Sequence, residues 1–168
     1  LAILTWGQAL HPAVAPSVDL VRAFSRGQGL GGDLLASVPT LWAIPPDVTA
    51  DEDRQSFVLR SNESEVNATL PLENASVIPG RTYVMSFEYR NAEFTGEQKV
   101  YVSAHTQEGV WTATFPDGSG YLTRDVQAWT PGAFAFIAPP DTVMLQTWLR
   151  ATGSGVSEFR AVQLRQVL

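Results

Sequence analysis

The 168-residue chain has no cysteine, a single lysine (Lys99) and only two histidines, His11 and His105. The missing cysteine excludes disulfides, thiolate metal sites and thiol nucleophiles, and leaves the compartment open. With two histidines, a Ser-His-Asp triad would have to use one of them, and no G-x-S-x-G elbow is present. The H-E-x-x-H spacing of zinc enzymes is also absent. No apolar run reaches the roughly 18 residues that a membrane helix needs. The apolar opening "LAILTWGQAL" stops near ten residues and has no charged n-region. It reads as an edge strand or as the stub of something upstream in a longer protein. Charged residues make up only 17% and the net charge is −6. A negative chain lacks the basic patch that nucleic acids and anionic membranes require.

Hydrophobic residues reach 45%, enough for a sizeable core in one domain. The second half of the chain reads as strand after strand. In "RTYVMSFEYRN" the residues Tyr83, Met85, Phe87 and Tyr89 alternate with Val84, Ser86, Glu88 and Arg90. That period of two marks a half-buried strand. "KVYVSAHT" alternates Val100, Val102 and Ala104 against Tyr101, Ser103 and His105. "GVWTATF", "GAFAFIAPP", "TVMLQTWLRA" and "SEFRAVQLRQV" follow, separated by Gly/Pro turns. Weaker patterns precede them in "SVDLVRAF", "QSFVLRS" and "EVNATLPL". Short strands with this punctuation predict an all-β, antiparallel β-sandwich. The expected organisation is an extension or edge strand over residues 1–17 and one sandwich domain over 18–168.

Gly27, Gly29 and Gly32 in "SRGQGLGGDLL" match the G-x-G-x-x-G dinucleotide fingerprint. That motif works only between a strand and a helix that crosses over to a parallel strand. The best helix candidate, "GGDLLASVPTLW", is stopped by Pro39, and Pro45-Pro46 follow. The glycines therefore read as a flexible loop between an early strand and Trp42. "DEDR" at Asp51–Arg54 reads as a solvated loop and "FPDGSG" as a turn. The sequons at Asn62, Asn67 and Asn74 read as a polar Asn/Ser-rich region of a bacterial protein.

Two segments carry a resemblance. "ENASVIPGRTYVMSFEYRN" resembles the signature of carbohydrate-binding modules of the galactose-binding-like jelly-roll type. That signature runs apolar-x-Pro-Gly-x-x-Tyr-x-apolar-Ser-Phe-x-x-Arg, and Val77, Pro79, Gly80, Tyr83, Met85, Ser86, Phe87 and Arg90 fill it. The stretch from Trp129 to Leu164 is similar to the closing pattern of the same family. Asp19, Leu20, Phe24, Gly27, Gly29 and Trp42 match its opening loosely. The resemblance implies a jelly roll that binds glycan on the concave face of one sheet or at the loop tips. Family members often carry two Asp after the aromatic of the last strand, one of which helps hold calcium. Arg160 and Ala161 stand there instead, so no metal and no cofactor are expected.

The alternation then selects a binding face. With Tyr83, Met85, Phe87, Val100, Val102, Val143, Leu145 and Leu149 inside, the opposite phase faces solvent. It contains Glu88, Arg90, Tyr101, His105, Gln146, Trp148 and Arg150, with Trp42 as a wall. Aromatic rings stack on the C–H face of a pyranose, and the planar polar groups bond its hydroxyls. The expected function is non-catalytic glycan binding in an extracytoplasmic protein. Its partners would be a polysaccharide or glycan and the domains of a parent protein, with no nucleic acid and no direct membrane insertion. The alternative is a structural or protein-interaction sandwich without a sugar site, appended to a membrane or secreted protein. Exposed Trp148 and Tyr101 favour the first, and a buried Trp148 favours the second.

Overall fold

A computed structural model of the chain describes residues 29–35, 45–50, 56–73, 77–91, 93–116 and 121–168. They form ten strands: β1 (Leu30–Asp33), β2 (Val48–Ala50), β3 (Ser56–Asn62), β4 (Val66–Glu73), β5 (Thr82–Arg90), β6 (Glu97–His105), β7 (Trp111–Phe115), β8 (Thr130–Ile137), β9 (Met144–Thr152) and β10 (Ser154–Val167). Every pairing is antiparallel. One sheet runs β2-β3-β10-β5-β8, with β1 beside β10; the other runs β4-β9-β6-β7. The all-β sandwich expected from the alternation is the fold observed. The first 28 residues and Trp42 lie outside the described residues, and with them the expected edge strand and the "SVDLVRAF" strand.

The inner phases of the two sheets meet in one core. Tyr83, Met85, Phe87 and Tyr89 of β5 pack with Phe57, Leu59, Phe159 and Leu164, and with Val100, Val102, Leu145 and Leu149 of the other sheet. Burying one such side chain stabilises the fold by about 1.5–3 kcal/mol. Val143, expected in this core, is only half-buried because it precedes β9 in the turn after Pro139-Pro140.

The Pro-Gly-x-x-Tyr part of the signature has a structural explanation. Gly80 takes φ +75°, which suits a residue without Cβ, and its N–H donates to the Ala138 carbonyl. The buried Tyr83 hydroxyl accepts the Ile78 N–H at 2.7 Å. Burial pushes this phenol up, with Ile78 and Arg81 acting the other way. The motif thus ties a turn to the strand that follows it, and touches no outer face.

The glycine run departs from its expected loop. Its second half is β1, with Leu30 opposite Val167 and Asp33 opposite Arg165. The last residues of β10 leave that edge unpaired by β3, and the Asp33 carboxylate accepts the Leu164 N–H at 3.1 Å.

β10 carries a bulge. Arg160 opposes Glu88 and Gln163 opposes Ser86, so β10 advances three residues while β5 advances two. The extra residue shifts the inward phase from Phe159 to Val162 and Leu164. Ala161 sits in the bulge, exposed, at φ +48°, a conformation that costs a residue with Cβ about 1–2 kcal/mol. Ala161→Gly relieves that strain and gives back part of it as unfolded-chain entropy. We expect a net gain of about 0.5–1 kcal/mol, read as a thermal midpoint higher by about 1–4 °C. A lower midpoint would show that the bulge is unstrained.

Candidate functional site

The outer face of the β4-β9-β6-β7 sheet is built by register. Across β6 and β9, Lys99 opposes Arg150, Tyr101 opposes Trp148, Ser103 opposes Gln146, and His105 opposes Met144. On the other side of β6, Ser103 opposes Thr114 and His105 opposes Trp111. A register shift between Ala104 and His105 brings Trp111 onto this face. Cross-strand neighbours on one face are close enough for rings to touch.

Three of these rings form a cluster. The centroids of Tyr101 and Trp148 lie 5.5 Å apart, those of Trp111 and Trp148 6.1 Å, and those of Tyr101 and Trp111 6.5 Å. The ring planes are within 21° of parallel. A column of three stacked rings would set the outer two about 7 Å apart or more, given contact distances of about 3.5–4 Å. No pair is that far apart, so the rings step sideways over the sheet. Tyr101 is 6% exposed, Trp148 is partly buried, and Trp111 is 49% exposed. Trp111 is therefore the ring most open to solvent in this cluster. Its neighbour Val110 is 57% exposed.

Hydrogen bonds fix the rings. The Trp148 Nε1–H donates to Ser103 Oγ at 2.9 Å, and Ser103 Oγ lies 2.8 Å from His105 Nε2. Trp111 Nε1–H donates to Thr114 Oγ1 at 2.9 Å, and the His105 ring tilts against Trp111 with centroids 5.6 Å apart. Arg150 pairs with the Glu65 carboxylate. Burial pushes the Tyr101 phenol up, with Arg150 opposing it.

The segment 121–129 starts at this face, with Tyr121, and ends on the other sheet, with Trp129. Asn91 holds it: its backbone N–H donates to the Val126 carbonyl, its Oδ1 accepts the Val126 N–H, and its Nδ2 donates to the Thr123 carbonyl and to Gln98 Oε1. Tyr121 makes a bridge with Lys99 of β6. The Lys99 ammonium stands 5.0 Å from the Tyr101 ring centroid and 5.3 Å from that of Tyr121.

The residues expected on one face divide between two sheets. Tyr101, His105, Gln146, Trp148 and Arg150 share the outer face of the β4-β9-β6-β7 sheet. Glu88 and Arg90 lie on β5 in the other sheet, which corrects the single face read from alternation. There Arg90 binds Glu158 through two N–H donors at 2.5 and 2.9 Å, and Arg160 binds Glu88 at 2.5 Å. Both guanidinium groups lie over the Trp129 ring, at 4.7 and 4.2 Å from its centroid. These charges satisfy one another and pin Trp129. His105 has the outward phase but is buried among Ser103 and Trp111. Trp111, Lys99, Ser103, Thr114 and Tyr121 were not foreseen. Lys99 and Ser103 share the phase of Tyr101, so the signal for them was present in "KVYVSAHT".

Among the described residues no group of three or more His, Asp or Glu side chains is placed to hold a metal ion. What the arrangement offers is apolar ring surface bordered by hydroxyl, ammonium and guanidinium donors.

No family model and no curated protein matches the chain. Solved structures do. The C-terminal family 22 carbohydrate-binding module of Clostridium thermocellum Xyn10B matches with a TM-score of 0.56 and 17% identity, covering 84% of this chain and 96% of that one. The CBM22-1 xylan-binding domain of Paenibacillus barcinonensis Xyn10C matches at 0.54 and 15%, covering 75% and 85%. The enzymatically active domain of bacteriophage CBA120 tailspike protein 4 matches at 0.59 and 16%, covering 77% of this chain but 20% of that one. At these identities the likeness is one of fold: the chain is an antiparallel β-sandwich of the kind seen in carbohydrate-binding modules.

Removing the hydroxyl in Ser103→Ala leaves the Trp148 indole N–H without its acceptor. Trp148 is half-buried, so we expect a loss of about 1 kcal/mol in urea unfolding. In a double-mutant cycle with Trp148→Phe, the two losses should be less than additive by about 0.5–1.5 kcal/mol. Strict additivity would show that the bond contributes nothing to stability.

Proposed function

We propose that this domain is a non-catalytic glycan-binding module, and that the outer face of the β4-β9-β6-β7 sheet is its site. The observation that carries the reading is the adjoining ring surface of the half-exposed Trp111 and the partly buried Trp148, backed by the buried Tyr101. Ring surface of this kind receives the apolar C–H face of a pyranose, and edge donors discriminate its hydroxyls. Gln146, Thr114, Lys99 and Arg150 supply such donors around the rings. The fold adds support, since it is shared with modules described as carbohydrate-binding and xylan-binding. No catalytic pair or nucleophile enters the reading. An extracytoplasmic location belongs to the same proposal, because the structural polysaccharides of cell walls and capsules lie outside the cytoplasm.

The alternative, a protein-interaction domain, draws on the exposed apolar pair Val110 and Trp111. Affinity electrophoresis through gels containing soluble polysaccharides separates the two. Retardation by at least one polysaccharide is expected. Trp111→Ala should weaken it about tenfold or more, equivalent to about 1.4 kcal/mol. Because half of that ring is already in solvent, the thermal midpoint should move little. Migration unaffected by any polysaccharide would favour the interaction reading.

A further inference from the structure

The proposed site is not electrically uniform. At one end of the ring cluster, Lys99 and Arg150 stand directly opposite each other on β6 and β9. Like charges in that position destabilise a sheet. Arg150 is offset by Glu65. Among the described residues, no carboxylate lies within ion-pair distance of Lys99. Its ammonium meets only the faces of Tyr101 and Tyr121, which attract a cation without neutralising it. Burial pushes its pKa below the ordinary lysine value, and Arg150 pushes the same way. An anion brought to this point gains twice: it pairs a desolvated cation and relieves the repulsion across the strands.

The sugar geometry meets this arrangement. A pyranose lying flat on a ring carries its equatorial substituents outward, close to the ring plane. A sugar resting on Trp148 and the half-exposed Trp111 therefore directs a substituent across the buried Tyr101 ring, over whose face the Lys99 ammonium lies. Tyr121, 53% exposed, also faces the ammonium, with its ring centroid 5.3 Å away. The chain's net charge of −6 opposes an anion at long range, but such effects are largely screened beyond about 8 Å at physiological salt. At contact distance the local charges decide.

We propose that the ligand is an acidic glycan, with its ring on Trp111 and Trp148 and its anionic substituent, a carboxylate or a sulfate ester, held by Lys99 above Tyr101. This rests on the glycan-binding reading of the same face. The whole chain would be titrated calorimetrically with polygalacturonate, dextran sulfate and an unsubstituted neutral xylan. At least one polyanion should bind more tightly than the xylan, and the carboxylate and sulfate arms identify which group is recognised. Lys99→Gln should weaken that binding about tenfold or more, the usual scale for losing a charge-assisted bond. Lys99→Arg, which keeps the charge, should retain most of it, and this rescue separates recognition from loss of fold. Xylan bound at least as well as both polyanions, or a Lys99→Gln loss equal across ligands, would overturn the inference while leaving glycan binding intact. Absence of binding to all three would overturn both.

Discussion

The pairing of β6 with β9 in the register that sets Tyr101 against Trp148 is the constraint on which this molecule turns. The side-chain period of a strand is two, so a slip of one residue would turn over the faces of the strand that slips. A slip of β6 would send Val100 and Val102 to solvent and Tyr101 into the core; a slip of β9 would do the same to Leu145 and Leu149, and bury Trp148 and Arg150. The cost of exposing fully buried aliphatic side chains on either strand therefore holds the ring cluster in place. Core and candidate site are two faces of one registration. Ser103 adds a local lock: it is wholly buried on the outward phase, because it serves as the acceptor of the Trp148 indole and the partner of His105.

The two outer faces use similar residues to opposite ends. On the β2-β3-β10-β5-β8 sheet, two Arg–Glu pairs form across directly opposed positions and roof one tryptophan. Their forks are spent on each other. On the β4-β9-β6-β7 sheet two cations face each other and only Arg150 has a carboxylate partner, while the rings are grouped side by side. Residue type alone does not separate a stapled surface from a receptive one; the neighbour across the strand does.

That distinction explains what could be read from the chain. Alternation within β5, β6 and β9 revealed the strands and their inward phase, because it is local. Which strands share a sheet is set by nonlocal pairing, and the alternation of Glu88 and Arg90 looks the same as that of Trp148 and Arg150. Those two residues were accordingly grouped with a face that they do not join. Trp111 escaped for another reason: the register shift beside it breaks the period of "GVWTATF", so no phase could be assigned there. The glycine run hid a strand because Gly31 and Gly32 offer no side chain to alternate. In the Pro-Gly-x-x-Tyr signature the recognisable residues build a turn and a buried tyrosine bond, which is why they report the fold and not the ligand.

The near-parallel indoles of Trp111 and Trp148 have an optical consequence. With ring centroids 6.1 Å apart and planes 21° from parallel, the two indoles are close enough for their excited states to couple. The pair should therefore give the domain its own exciton-type band in the aromatic circular-dichroism spectrum. A molecule settling on the cluster would alter the solvation of Trp111 and, through the coupling, the band shared with Trp148. The face that we assign to recognition thus carries its own label, and occupancy can be followed without attaching a dye.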